Sequence, residues 1–277
     1  MTLLPEPENR EIVVVGAGIF GPTIARKLIK DGHDVLVLDE EQPLAGSTPA
    51  ACLMKPSWLT KLSKQQQAES FATLDELYGL HELNARVVLA SLRVALQPVF
   101  WVAPRAILKP GRYEKATVLR LATHNSRPEL HCEDGRVIRC KTAIIAAGIW
   151  SANLLAVKGL KGQSGVAFTW QTGGLEEGHP RVRPWAPYKQ LVAMEIEPGV
   201  TWCGDGTAVN VESMTPSREE KCLDRCANFV RKDPEKAVRL RGIRPYIKDL
   251  SGPCYLKEQE PGVWVATGGA KNGTAGA

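Results

Sequence analysis

Three glycines in the stretch "GAGIFG", Gly16, Gly18 and Gly21, stand at G-x-G-x-x-G spacing, with Ile19 and Phe20 between the last two. In that register the first glycine permits a tight turn, the second lets the backbone approach a pyrophosphate, and the third lets a helix pack closely on the preceding strand. The helix that follows turns its free N–H groups and positive dipole end toward the phosphates. Asp39, 23 residues after Gly16, closes the next apolar run with Glu40 beside it, and a carboxylate there accepts from ribose hydroxyls. An acid at that place disfavours a 2′-phosphate, so the pattern predicts a dinucleotide other than NADP. A structural glycine turn is the alternative, and the pattern alone does not separate NAD from FAD.

These groups need a βαβ frame. Ile12–Val15 reads as a buried strand, Ile24, Leu28 and Ile29 keep helical spacing, and Val35–Leu38 is a second strand ending in acid. Pro22 falls in the helix's first turn, where a missing N–H costs little. The stretch "SKQQQAESFATLDELYGLHELNARVVLASLRVAL" predicts one or two helices. Strands follow in "ATVLRLATH", in "ELHCEDGRVIRC" around an Asp134-Gly135 turn, and in "KTAIIAAG". Gly165 to Val211 alternates as antiparallel strands do. "SREEKCLDRCANFVRK" predicts a helix capped by Ser217 with Glu220 at the capping-box position, and Val263–Ala266 predicts a last strand before a glycine-rich turn.

Composition narrows the class. With 277 residues, 44% of them hydrophobic, the chain can build one large domain or two interleaved ones. It has no apolar run long enough to span a bilayer and no secretion-signal layout, which predicts a cytoplasmic protein without a membrane partner. Seven cysteines without a C-x-x-C pair read as reduced core thiols, Cys222 and Cys226 included, and no metal site is expected. The five histidines are scattered, so nothing supports a Ser-His-Asp hydrolase. Charge is uneven: from Asn84 to Pro128 there are eight Lys/Arg against the single acid Glu114, either a solvated face or a surface for a polyanion.

The stretch "LAGSTPAACLMKPSW" after the acid resembles the segment that lies along the flavin in the D-amino-acid oxidase superfamily, most closely its glycine oxidase branch. Ser47, Thr48, Ala50 and Ala51 match it; Leu53 and Met54 take the place of residues whose backbone approaches the isoalloxazine ring, and Cys52 stands where the family usually has glycine. "ATVLRLATHNSRPELHCEDGRVIRCKTAIIAAGIWSANLL" is similar to the family's second FAD region, with Val118 at the adenine and Ala147, Gly148 and Trp150 in the turn beside the cofactor. "RGIRPYIKD" resembles its Leu-Arg-Pro block. "VWVATGGAKNGTAGA" resembles its closing strand and turn, with Gly268, Gly269, Asn272, Gly273 and Thr274 at the flavin. Relatives continue into a helix after that turn; either the natural protein lacks it or the chain is cut there.

The resemblance implies an α/β fold: a glutathione-reductase-like Rossmann-type FAD-binding domain assembled from 1–62, 113–162 and 240–277. A reduced antiparallel-sheet substrate domain would come from 63–112 and 163–239. It implies non-covalent FAD and oxidation of a glycine-like primary or secondary amine through an imine. Arg244 matches the arginine that clamps the substrate carboxylate, Lys271 a basic position in the closing turn, and Lys55 is a third candidate cation. The family's helper tyrosine falls on Val192, leaving Tyr188 or Tyr246 to assist.

Three readings of the substrate follow. The region before "ATVLRLA" is shorter than in relatives and is the basic one, which suits an amino-acid group attached to a thymine-derived base in bacteriophage DNA, oxidised with release of glyoxylate. The second reading is an oxidase of free glycine, sarcosine or another small amino acid. The third is a non-catalytic flavin-binding accessory or DNA-binding subunit.

Overall fold

The computed structural model describes residues 6–89, 93–107, 112–171, 173, 175, 179–186, 189–248, 250, 252 and 254–269. The chain opens β1 (Glu8–Val15), α1 (Phe20–Lys30), β2 (Val35–Asp39), β3 (Leu53–Met54), α2 (Lys64–Tyr78), β4 (His81–Val88), β5 (Val94–Trp101) and α3 (Pro104–Ile107). It continues β6 (Arg112–Lys115), β7 (Val118–His124), β8 (Arg127–Cys132), β9 (Val137–Ile145), α4 (Ser151–Leu154), β10 (Leu160–Trp170), β11 (Arg181–Ala186), β12 (Lys189–Glu197) and β13 (Val200–Asn210). It closes α5 (Pro216–Val230), β14 (Val238–Ile247), β15 (Tyr255–Glu260) and β16 (Val263–Thr267).

Two sheets result. The first runs β15-β16-β9-β1-β2-β6 with β7 and β8 attached through β9, and its inner pairs β16-β9, β9-β1, β1-β2 and β2-β6 are parallel. Successive residues of β1 enter opposite cores: Val13 and Val15 pack with Leu36 and Leu38 on one face, Ile12 and Val14 with Phe20, Ala25 and Val37 on the other. Burial on both faces is what a parallel sheet requires. The second sheet runs β14-β10-β13-β12-β11-β4-β5-β3 and is antiparallel except where β11 meets β4. The buried face of α5, with Cys222, Leu223, Cys226 and Val230, closes over Val166, Phe168, Trp170 and Cys203. Cys222 and Cys226 are thus packing residues; all seven cysteines are free and all but Cys254 are buried.

The Rossmann-type frame and its companion sheet agree with the sequence reading. β14 belongs to the second sheet although all but its first two residues lie in the 240–277 segment assigned to the FAD domain, so that segment crosses both layers.

Two local expectations are corrected. The stretch predicted as one or two helices makes α2 only as far as Tyr78; Gly79 stops it at φ 72°, and β4 and β5 form a hairpin instead. Alternation decides it, because Ala85, Val87 and Val99 point inward onto Val182 and a helix would not bring them to one face. The cap of α5 is Thr215, not Ser217: Pro216 occupies the first helical position, which suits its fixed φ, and the Thr215 side chain accepts from Arg218 N. Among the described residues no helix is long and apolar enough to cross a membrane.

Candidate active site

A cleft of about 740 Å³ lies where the strand order of the first sheet reverses, at the carboxyl ends of β1, β2 and β9, and extends to the second sheet. Gly16, Gly18, Ile19 and Phe20 form its floor, Asp39 and Glu40 one wall, and Ala147, Gly148 and Trp150 another. Val118 lines it from the start of β7; Ser47, Ala50, Ala51 and Leu53 line it from the segment between the sheets; Gly269 and Arg244 complete it.

The nucleotide end is built around the turn after β1. Gly16 has φ 107°, and a Cβ there would meet Ala146 O at 2.5 Å. Asp39 anchors the turn, accepting from Ala17 N at 2.5 Å and from Glu41 N at 2.6 Å. Ile19 N donates to Ser47 Oγ at 2.9 Å, tying the mouth of α1 to the connecting segment. Removing that acceptor in Ser47→Ala is expected to weaken FAD binding about fivefold, the value of one hydrogen bond, and a fluorescence-quenching titration of the apoprotein checks it.

Cys52, which also lines the cleft, has φ 53°, so the backbone keeps the left-handed conformation that glycine adopts freely. Its side chain packs among Leu59, Leu62, Leu74 and Val102. The departure from the family's glycine therefore serves the core and preserves the turn.

Arg244 sits on the edge strand β14, opposite Gln163 of β10. Its guanidinium runs over Gly165, where an added Cβ would lie 3.5 Å from Nη2. The side chain is half-buried and makes no ion pair with a carboxylate among the described residues. Burial pushes its pKa down, opposed by buried Asp205. Asp205 is itself engaged by Arg225 Nη2 at 2.5 Å and Thr207 Oγ1 at 3.0 Å, so its charge is already committed. An arginine remains cationic under such a shift, and the cleft holds a desolvated charge without an ion-pair partner among the described residues.

Several expectations fall elsewhere. Gly21 does not line the cleft; it packs beneath, against Gly16 O. Thr48, Met54, Lys55, Gly268 and Tyr246 do not line it either, and burial lowers the pKa of half-buried Lys55. Lys271, Asn272, Gly273, Thr274 and Tyr188 lie outside the described residues. Trp58, Thr60, Gln190 and Trp202 line the cleft and were not anticipated; Val192, the place of the family's tyrosine, lines it too. Only alternation along β12 and β13 could have marked the last three as one-face residues.

The cofactor fits what is present. Ala51, 5% exposed and on the wall of the cleft, has an N–H without a partner among the described residues, and buried backbone donors are almost always satisfied. Gly18, Ile19 and Phe20 at the mouth of α1 line the same space.

The fold and site thus define a Rossmann-type dinucleotide-binding protein. Residues 11–97 match the family model described as FAD dependent oxidoreductase, so the cofactor is FAD and the resemblance to the D-amino-acid oxidase superfamily is borne out. Among solved structures, iminodiacetate oxidase from Chelativorans sp. BNC1 is 19% identical over 96% of this chain and 91% of its own, with a TM-score of 0.71. Glycine oxidase from Geobacillus kaustophilus is 18% identical over 97% and 91%, with a TM-score of 0.68. NikD, an unusual amino acid oxidase essential for nikkomycin biosynthesis, is 14% identical over 97% and 91%, with a TM-score of 0.71. Comparison with curated protein sequences finds no match.

Proposed function

We propose that this chain oxidises a glycine-like amine at the carbon beside its carboxylate, and that the amine is carried on a thymine-derived base of bacteriophage DNA. The observation that carries the first part is Arg244, a desolvated guanidinium without an ion-pair partner among the described residues, in the same cleft as the G-x-G-x-x-G turn. A planar fork of donors suits a carboxylate held bidentately, and holding the carboxylate fixes the direction of the adjacent C–H.

FAD, when bound, accepts the two electrons that leave with the Cα hydrogen. The chain's own part is orientation and charge. Among the described residues no histidine or lysine lines the cleft, and the amine reacts as the neutral species. Atoms balance for a group R–NH–CH2–COO⁻: loss of two electrons and two hydrogens gives R–N=CH–COO⁻, and water then yields R–NH2 and glyoxylate.

The base is supported by Trp58, Trp202 and Gln190, which meet the same cleft. Indole faces stack on a flat ring and an amide can read its edge, whereas free glycine has no group to meet them. Support from charge is modest. The basic stretch divides between the two sheets, and Arg112 and Lys115 pair with Glu114 and Glu41. Phosphate contacts would therefore be few and the salt dependence shallow.

The test is anaerobic bleaching of the flavin by a thymidine carrying a glycyl group through its nitrogen, against free glycine and sarcosine. Faster bleaching by the nucleoside-linked amine is expected. Equal or faster bleaching by the free amino acids moves the substrate to that class, and bleaching by none of them removes the amine reading.

A further inference from the structure

The segment from Leu44 to Met54 connects the two sheets along the wall of the cleft, and several of its carbonyls accept from residues in or beside the second sheet. Leu44 O accepts from Ile243 N at 2.8 Å and Cys52 O from Val102 N at 3.4 Å. Between them two tryptophans act alike. Trp202 Nε1, from β13, donates to Pro49 O at 3.0 Å, and Trp101 Nε1, from β5, donates to Ala51 O at 2.9 Å. Each indole reaches far along the chain to bind a residue that lines the cleft. The Ala51 N–H, meanwhile, has no partner among the described residues.

A peptide group has its N–H and C=O on opposite sides. Fixing the Pro49 and Ala51 carbonyls, while Ala50 N donates to Ser47 O at 3.1 Å, holds the peptide planes on both sides of the Ala50–Ala51 peptide and so sets the direction of the Ala51 N–H on the cleft wall. Donors there suit a ring that becomes electron-rich on reduction, while carbonyl oxygens would repel it.

We infer that Trp101 and Trp202 are positioning residues for the cofactor: their indole N–H groups clamp Ala51 O and Pro49 O so that the Ala51 N–H held between them is presented to FAD. This rests on the reading that the segment lies along the flavin.

The experiment compares Trp101→Phe and Trp202→Phe with Trp170→Phe, whose Nε1 donates to Asp233 O at 2.8 Å in the core under α5. FAD affinity is read by quenching titration of apoprotein, the environment of bound flavin by its visible spectrum, and apoprotein stability by thermal unfolding. Each clamp variant is expected to bind FAD about 3- to 10-fold more weakly, the fold-change of one hydrogen bond, with a shifted flavin band. Trp170→Phe is expected to change neither. Where a phenylalanine variant fails to fold, benzothienylalanine at the same position replaces only the N–H by sulfur and gives the same readouts. Unchanged affinity and spectrum in both clamp variants, with tight binding by the parent chain, overturn the clamp alone. Failure of the parent chain to bind FAD overturns the flavin-segment reading together with it.

Discussion

Arg244→Ala is expected to lower kcat/KM for a carboxylate-bearing amine about 100-fold while leaving FAD content unchanged. A charge-assisted bidentate contact contributes about 1.5–3 kcal/mol, and desolvation places this one near the top of that range. The loss should depend on the substrate's carboxylate, since an amine lacking it forgoes the contact in parent and variant alike. Arg244→Lys keeps the charge and loses the fork, so an intermediate loss of about 10-fold is expected. Steady-state kinetics with a matched pair of amines, with and without the carboxylate, checks it. Equal losses on both members of the pair would show that Arg244 supports the strand and does not bind the substrate.

The arrangement around Arg244 explains why the charge survives burial. Asp205, two strands away in the same sheet, is fully buried and is bonded by Arg225 and Thr207. Arg225 in turn lies over the Trp185 ring, 4.2 Å from its centroid, and the Trp185 indole donates to Asp205 O. The carboxylate lowers the cost of burying Arg244 without neutralising it by contact. A carboxylate accepting from both arms of the guanidinium fork would have left no donors for a substrate. Among the described residues the acids lining the cleft, Asp39 and Glu40, belong to its nucleotide end, opposite in charge to the end that holds Arg244.

The nucleotide end was legible because its signals are local. Gly16, Gly18 and Gly21 are punctuated by flanking apolar runs, and Asp39 ends a strand whose period is plain in the chain. Arg244 was legible through a motif. Trp202, Gln190 and Val192 were not marked as one wall, because β12 and β13 become neighbours of Arg244 only through the order β14-β10-β13-β12. The β4-β5 hairpin was hidden for a related reason. Its residues can adopt either period, and only burial of Ala85, Val87 and Val99 against Val182 selects the strand.

Gly21→Ala is expected to unfold the nucleotide end, and Gly18→Ala to leave it folded but unable to accept the cofactor. An added Cβ at Gly21 would lie 1.8 Å from Gly16 O and 3.4 Å from Val14 Cγ1, contacts with the turn and strand on which α1 rests. Neither neighbour can move alone: Gly16 N donates to Leu38 O at 2.7 Å, and Val14 is fully buried in the sheet. The helix would have to lift from β1, at a cost of about 3 kcal/mol or more, lowering the apoprotein Tm by roughly 6–12 °C. At Gly18 the nearest atom to an added Cβ is Ser47 Oγ at 3.2 Å, a side-chain end that can rotate away. There the methyl group projects beside the cleft lining, so the Tm should hold while FAD affinity falls about 10-fold or more, the loss expected when backbone approach to the pyrophosphate is blocked. Thermal unfolding of both apoproteins with FAD titration separates the two roles. A stable Gly21→Ala apoprotein with normal FAD affinity would show that the close packing of α1 on the turn is not what holds the nucleotide end in shape.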